Sequence, residues 1–428
     1  MSALQDVKQR ISGFPAFRSL QFRNYRLFFF GQLISLVGTW MQNVGQAWLV
    51  YQLTHSSVWL GAVGFLNSIP LLFFSMFGGT VADKTLKKKI IVATQTASMI
   101  QAFVLAALYW THVITPAMIG FLALTLGIIN SFDVPARQSF VVEMVGKENL
   151  GNAVALNSAV FNSARMFGPA IGGLIIGAFG VGWCFFLNGA TFIAVIIGLL
   201  MMNVVEQGST GRRDEPVMQA IREAITYVRG ESVMIAVLTL VSVVTIFGWS
   251  YSVLLPIFAD KVLAIGAVGF GNLLSANGIG ALISALTVAS VGHKVSPRTF
   301  LYGGIAVFVF SISIFAFSAS PLLSMACLVG IGMGLIAFFA TANTSLQNRV
   351  PDHLRGRVMG LYAVVFQGFF PFGSLGMGVA ADWFGVRIAV AAGAGVCGVA
   401  GASVYTIMKR KREHQSKESV STNQKVTE

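Results

Sequence analysis

Long apolar runs alternate with short polar breaks along almost the whole chain, and the runs share a common length. A helix needs about 20 mainly apolar residues to cross a bilayer. Twelve stretches meet that requirement: 27–53, 58–82, 90–110, 116–133, 152–178, 183–204, 233–256, 268–291, 299–318, 321–343, 357–381 and 386–408. The longest break, Val205 to Ser232, divides them six and six. Inside it Pro216 follows two acids, and Val217, Ile221, Ala224, Ile225 and Val228 recur at helical spacing ahead of Gly230. That pattern predicts an amphipathic helix lying along the membrane surface. The organisation expected is therefore an N-terminal segment 1–26, a six-helix bundle 27–204, a linker 205–232, a second bundle 233–408 and a tail 409–428. The tail lacks apolar periodicity and is expected to be disordered. The first apolar run is too long for a signal-peptide core and has no small-residue cleavage site, so it is expected to remain as the first helix.

The two sets of six repeat. A shift of 205 positions superposes Gly151 on Gly356, Leu156 on Leu361, Phe161 on Phe366, Phe167 on Phe372, Gly168 on Gly373, Gly173 on Gly378, Phe179 on Phe384 and Gly180 on Gly385. The fifth span thus matches the eleventh in the same orientation. A parallel repeat of this kind predicts two bundles related by an axis along the membrane normal, with a cavity between them.

Composition removes the competing classes. Hydrophobic residues make up 55% of the chain and charged residues 11%, against about 25% charged in an average soluble protein, which leaves too little polar surface for water-soluble domains. A net charge of +13 would suggest nucleic acid as a partner if the chain were soluble, so the position of the charges decides. Of 29 lysines and arginines, 26 fall on the side of the termini, two (Lys261 and Arg387) on the other, and Arg165 inside the fifth span. Such an asymmetry over short loops orients the chain with both termini in the cytoplasm and leaves no case for nucleic-acid binding. Cys184, Cys327 and Cys397 are odd in number and show neither CxxC nor Cys/His ligand spacing, which indicates neither a disulfide framework nor a metal site. No GxxxxGK[ST] run is present, so ATP drive and a nucleotide cofactor are not expected. The five histidines lie at or beyond the edges of the spans, and no cluster suggests a membrane enzyme or a sensor.

Short motifs carry the rest. The second span ends Gly79-Thr80-Val81-Ala82-Asp83-Lys84 and is followed by Lys87, Lys88 and Lys89; the fourth leaves as Asn130-Ser131-Phe132-Asp133-Val134-Pro135-Ala136-Arg137-Gln138. NYRLFFFGQLISLVGTWMQ, NAVALNSAVFNSARMFGPAIGG and NRVPDHLRGRVMGLY follow in order at the first span, the fifth and the approach to the eleventh. Together these five motifs resemble the enterobactin-exporter branch of the major facilitator superfamily, proton-driven exporters that also include macrolide efflux proteins. The resemblance covers nearly the whole chain. It implies an all-α fold of twelve transmembrane helices in two six-helix bundles, the major facilitator fold, in a bacterial inner membrane. It also implies a conformational latch in which Gly79 packs against the eleventh helix while Asp83 and Asp133 meet Lys84, Lys87, Lys88 and Arg137. Two departures make that latch asymmetric: Leu86 stands where a glycine or acid is usual, and Ser290-Val291-Gly292-His293-Lys294 in the second half has no acid. Gly168, Pro169, Gly172 and Gly173 resemble the antiporter signature of exporters, with Ala164 in place of its leading glycine. Proline weakens the helix there, and the glycines are expected to admit the eighth helix closely.

Polar residues mark the expected substrate cavity. Gln32, Ser35, Thr39, Gln42, Asn43 and Gln46 form one stripe on the first helix, which lipid would penalise. Asn162, Asn343 and Gln367 add hydrogen-bonding groups, and Trp40, Trp249 and Tyr362 add stacking surface. Arg165, about 20 Å into the fifth helix at 1.5 Å per residue, is the charge expected at the membrane midplane, with polar neighbours such as Asn162 as its alternative partners. All 16 acids fall in loops, tails or helix ends on this reading. A buried cation without a counter-ion is strongly disfavoured, so the substrate expected is a neutral or anionic amphiphile. The resemblance implies that it is a siderophore or hydrophobic drug exported in exchange for protons, and a monomer is expected. A lysophospholipid translocator of the same fold is the alternative.

Overall fold

The computed structural model describes residues 15–203, 217–292 and 294–427. Among them, ten helical runs are long and apolar enough to cross a membrane. One of these, Pro116–Phe179, is two helices joined at Gly146, whose φ of 73° and ψ of 166° interrupt it. Arg23–Thr54, whose polar stripe dilutes its apolar character, completes twelve. We number them α1 (Arg23–Thr54), α2 (Ser57–Lys84), α3 (Lys87–Trp110), α4 (116–145), α5 (147–179), α6 (Val181–Leu200), α7 (Ser232–Val262), α8 (Gly266–Val291), α9 (Pro297–Phe317), α10 (Pro321–Gln347), α11 (Leu354–Phe384) and α12 (Val386–Thr427). With twelve crossings, residues 15–22 and the end of α12 share one face of the membrane, called here the near face.

Local chemistry sets the ends. Thr115, Ser296 and Ser320 each accept a backbone N–H of the next turn, and proline occupies the first helical position after each. That pairing of cap and proline starts a helix sharply. The repeat seen in the sequence is a repeat of backbone too: Gly180 (φ 89°) and its counterpart Gly385 (φ 83°) both adopt a left-handed conformation where α5 turns into α6 and α11 into α12. α7 is irregular, with π turns at Val244–Gly248 and Phe258–Val262 flanking a 3₁₀ stretch, Trp249–Leu254.

Two boundaries and one placement differ from expectation. α4 does not stop at residue 133 but runs on through Pro135 to the break at Gly146. A proline that would end a helix in water is tolerated in a membrane helix, where neighbouring groups and local adjustments satisfy the freed carbonyl. α12 continues to Thr427 where a disordered tail was expected; the segment after Met408 contains neither glycine nor proline, so nothing in it breaks a helix already running. The linker helix Val217–Gly230 buries Ala224 and Val228 against the second bundle. Glu223 pairs with Arg357 of α11, and the Tyr227 hydroxyl donates to the Arg349 carbonyl at 3.2 Å. It is thus docked on protein at the near face.

Among the described residues, the two bundles close on each other toward the far face. A methyl group placed on Gly61 of α2 would fall 2.5 Å from the Ser374 carbonyl of α11, and one on Gly271 of α8 would fall 2.4 Å from the Pro169 carbonyl of α5. Tyr51 donates to Asp260 at 2.7 Å, and Trp48 stacks on Phe270 with ring centroids 6.1 Å apart. Toward the near face the seam opens: a methyl on Gly79, Gly151 or Gly360 would meet nothing within 4 Å.

Candidate substrate cavity

The open seam leads into a cavity of about 1070 Å³ between the bundles, lined from the first bundle by α1 to α6 and from the second by Trp249, Phe366, Gln367 and Phe370. Of the residues expected there, Gln32, Ser35, Thr39, Gln42, Asn43, Asn162, Trp249 and Gln367 line it. The α1 stripe is held by a network across four helices. Gln42 donates to Gln101 of α3 at 3.0 Å and accepts from Asn188 of α6 at 2.7 Å, while Gln101 donates to the Leu122 carbonyl of α4 at 3.3 Å. These amides are buried among helices, where an unpaired amide would be costly.

Five expected residues lie outside the cavity wall. Trp40 packs edge-on to Phe161 and against Gly168, on the side of α1 facing α5. Gln46 lies beyond the floor, near the sealed far face. Tyr362 donates to the Phe339 carbonyl and stacks on Phe366, so it supports the wall from behind; Asn343, which accepts from Gln347 at 2.6 Å, is in the same layer. Arg165 reaches across the seam and donates to Asn277 of α8 at 2.6 Å, and Asn277 in turn donates to Tyr251 of α7 at 3.1 Å. Its partner is thus in the other bundle rather than at Asn162, which donates to the Ser158 carbonyl of its own helix.

The charge in the cavity is a different one. Because α4 continues past Pro135, Asp133 and Arg137 lie within the helix rather than at its end, and in this conformation they line the cavity wall. Asp133 is buried, 1% exposed. Its Oδ1 accepts from Thr94 at 2.7 Å and from Gln95 at 3.0 Å, its Oδ2 pairs with Arg137, and Arg137 also donates to Gln32. Gln32 and Gln95 lie nine and eight residues into α1 and α3, so this cluster sits roughly 12–14 Å inside the near-face ends of those helices at 1.5 Å per residue. Asp133 thus lies within a helix rather than at the helix end expected for it. Polar spacing could have pointed here: Gln95, Ser98 and Gln101 on α3 recur every three residues, as the α1 stripe does, and all three line the cavity.

The expected latch is not assembled in this conformation. Gly79 has no neighbour across the seam, Lys87 pairs with Glu143 at 2.6 Å, and Lys88 donates to the Met202 carbonyl at 2.8 Å, all within the first bundle. The side chains of Asp83 and Lys84 lie outside the described residues. The antiporter-like motif serves two helices rather than one. Gly168 and Gly172, one turn apart, admit Trp40 and Met41 of α1, whereas Pro169 and Gly173, about 100° round the helix, face Gly271 of α8.

Two pseudo-symmetric six-helix bundles closing one face of the membrane over a central cavity define a transporter of the major facilitator type. In solved structures the same fold appears in the nucleoside transporter NupG, with a TM-score of 0.70, 14% identity and 91% and 99% of the two chains covered. It appears also in a bacterial homologue of the human lysosomal transporter Spinster, in an inward-facing and unoccupied conformation, with a TM-score of 0.74, 11% identity and 90% and 96% covered. The chain belongs to the family of transmembrane secretion effectors, which it matches over residues 12–428. Its relatives include the staphyloferrin A transporter of Staphylococcus aureus, 27% identical over 365 residues covering 84% of this chain and 90% of that one. The multidrug efflux pump Tap of Mycolicibacterium fortuitum is 26% identical over 373 residues, again 84% and 90%. The enterobactin exporter EntS of Escherichia coli O1:K1 is 26% identical over 353 residues, 81% of each. These relatives are transporters, of siderophores or of drugs.

Proposed function

We propose that this protein exports a siderophore or hydrophobic drug-like molecule from the cytoplasm of a bacterium across its inner membrane, by alternating access and in exchange for protons, as a monomer. The observation that carries the reading is the cavity between the bundles, open at one face and sealed at the other. At about 1070 Å³ it lies just above the usual range of ligand pockets, roughly 300–1,000 Å³, and suits a bulky substrate. The wall mixes amides and hydroxyls with Phe161, Trp249, Phe366 and Phe370, which fits a neutral or anionic amphiphile. Basic residues concentrated at the near face support placing that face in the cytoplasm, so the conformation described is the inward-facing one, ready to load. The relatives speak for siderophores and drugs and lend no support to a lysophospholipid. The test is accumulation of a siderophore and drug panel in inverted membrane vesicles, with and without an inside-acid pH gradient. Gradient-stimulated accumulation of at least one ligand supports export by exchange; accumulation of none, with the protein folded and inserted, refutes it.

A further inference from the structure

Two hydrogen-bond donors beside the ion pair have nothing to bind. Gln32 Nε2 and Arg137 Nε are buried and without a partner, and both residues line the cavity. They are neighbours, since Arg137 donates through Nη1 to the Gln32 side-chain oxygen. Buried donors normally find acceptors; both belong to side chains of the cavity wall, where Arg137 is 27% exposed, so a turn of either side chain would bring its unpaired donor to a ligand that supplies the acceptor. We propose that Arg137 and Gln32 form the seat of an anionic acceptor group, a carboxylate, on the transported molecule, and that Asp133 is the built-in counter-ion this group displaces. The inference rests on the export reading and names the chemistry of its substrate.

The neighbours of Asp133 explain why such an exchange is possible. Thr94 and Gln95 both donate to Oδ1, the oxygen that Arg137 does not use. Asp133 can therefore yield Arg137 and remain a hydrogen-bonded carboxylate, while the guanidinium turns its free N–H edge and the Gln32 amide to the incoming oxygens, the paired geometry a carboxylate fits. A cation finds no such seat, because the carboxylate in the described cavity wall already belongs to Arg137. The charge count has a consequence for drive. The empty cluster is neutral and the loaded one carries the charge of the ligand, so a membrane potential negative in the cytoplasm pushes the loaded cavity outward. A proton taken up by Asp133 would travel with the anion and not against it, so the protons of the exchange bind elsewhere.

The probes are 1-pyrenebutyrate and its uncharged analogue 1-pyrenebutanol, titrated by fluorescence into the full-length protein in nanodiscs, with empty nanodiscs subtracted. The unaltered protein should bind the carboxylate at least tenfold tighter than the alcohol. Arg137→Gln should erase that preference by weakening the carboxylate more than the alcohol, Gln32→Ala should cut it several-fold, and Asp133→Asn, which removes the rival anion, should widen it several-fold in favour of the carboxylate. Equal affinities in the unaltered protein, or a preference that survives Arg137→Gln, overturn the proposal. Should Arg137→Gln lose both probes through misfolding, Gln32→Ala decides: a reduced preference supports the seat and an unchanged one overturns it. Failure of both probes to bind the unaltered protein also overturns the seat, whereas the export reading stands or falls separately on vesicle accumulation.

Discussion

Replacing Gly271 with alanine should tilt the protein toward the outward-facing state by a calculable amount. In the conformation described, the added methyl would lie 2.4 Å from the Pro169 carbonyl, 3.0 Å from Gly173 Cα and 3.1 Å from Gly173 N. All three are backbone atoms, so no side chain can rotate away and α5 and α8 must part. Overpacking of this kind costs about 1–3 kcal/mol. Where the far face is open the same methyl meets no such seam, and the helix-propensity gain of alanine over glycine is common to both states and cancels. The full cost therefore falls on the ratio of states, a shift of roughly 5- to 150-fold. Gly79→Ala should do the opposite. Its methyl meets nothing within 4 Å here, while the latch expected in the outward-facing state presses Gly79 against α11. The assay is electron–electron double resonance between spin labels at Leu86 and Gly360, both exposed on opposite bundles at the near face. The three native cysteines are buried and leave the labelling selective. Gly271→Ala should add a short-distance population as the near face closes, and Gly79→Ala should remove any already present. Unchanged distance distributions in Gly271→Ala, or movement of both variants in one direction, would refute the reasoning.

Three further outcomes follow from the same seam. Tyr51→Phe removes the hydroxyl that donates to Asp260 across the far face; at about 1.5 kcal/mol for a bond to a carboxylate, it should raise the ratio of outward- to inward-facing protein roughly tenfold in the same resonance experiment. Asp83→Asn, which weakens the latch, should move the population inward by on the order of 1 kcal/mol, read as increased labelling of a near-face cysteine. Arg165→Gln should change the balance of states and lower thermal stability without altering the preference between charged and neutral ligands, because Arg165 is spent on Asn277 and does not line the cavity; a selective loss of anionic ligands in that variant would contradict the placement.

How much of this could be read from the sequence differs from one residue to the next for physical reasons. Lipid forces twelve apolar runs and a polar stripe on α1 to be visible, and the shift of 205 positions is visible because close helix contacts demand glycine at matching places such as Gly173 and Gly378. Asp133 and Arg137 fall at or beyond the end of the fourth apolar run, and only the packed bundle shows that the helix continues past them. The partner of Arg165 is 112 positions away, on a helix of the other bundle, and no periodicity connects them. The glycines of the antiporter-like motif were legible as packing residues, but not that Gly168 and Gly172 face α1 while Gly173 faces α8. That division depends on how α5 is rotated in the bundle.

Side-specific access to the cavity tests the account most directly. A cysteine placed at Thr39, in the cavity wall, should react with a membrane-impermeant maleimide added to inverted vesicles and be shielded in right-side-out vesicles; in the Gly271→Ala background, reaction from the periplasmic side should appear. Reaction from the periplasmic side alone in the unaltered protein, or from neither side with the cysteine shown to be reactive in detergent, would contradict a cavity that loads from the cytoplasm and discharges outward.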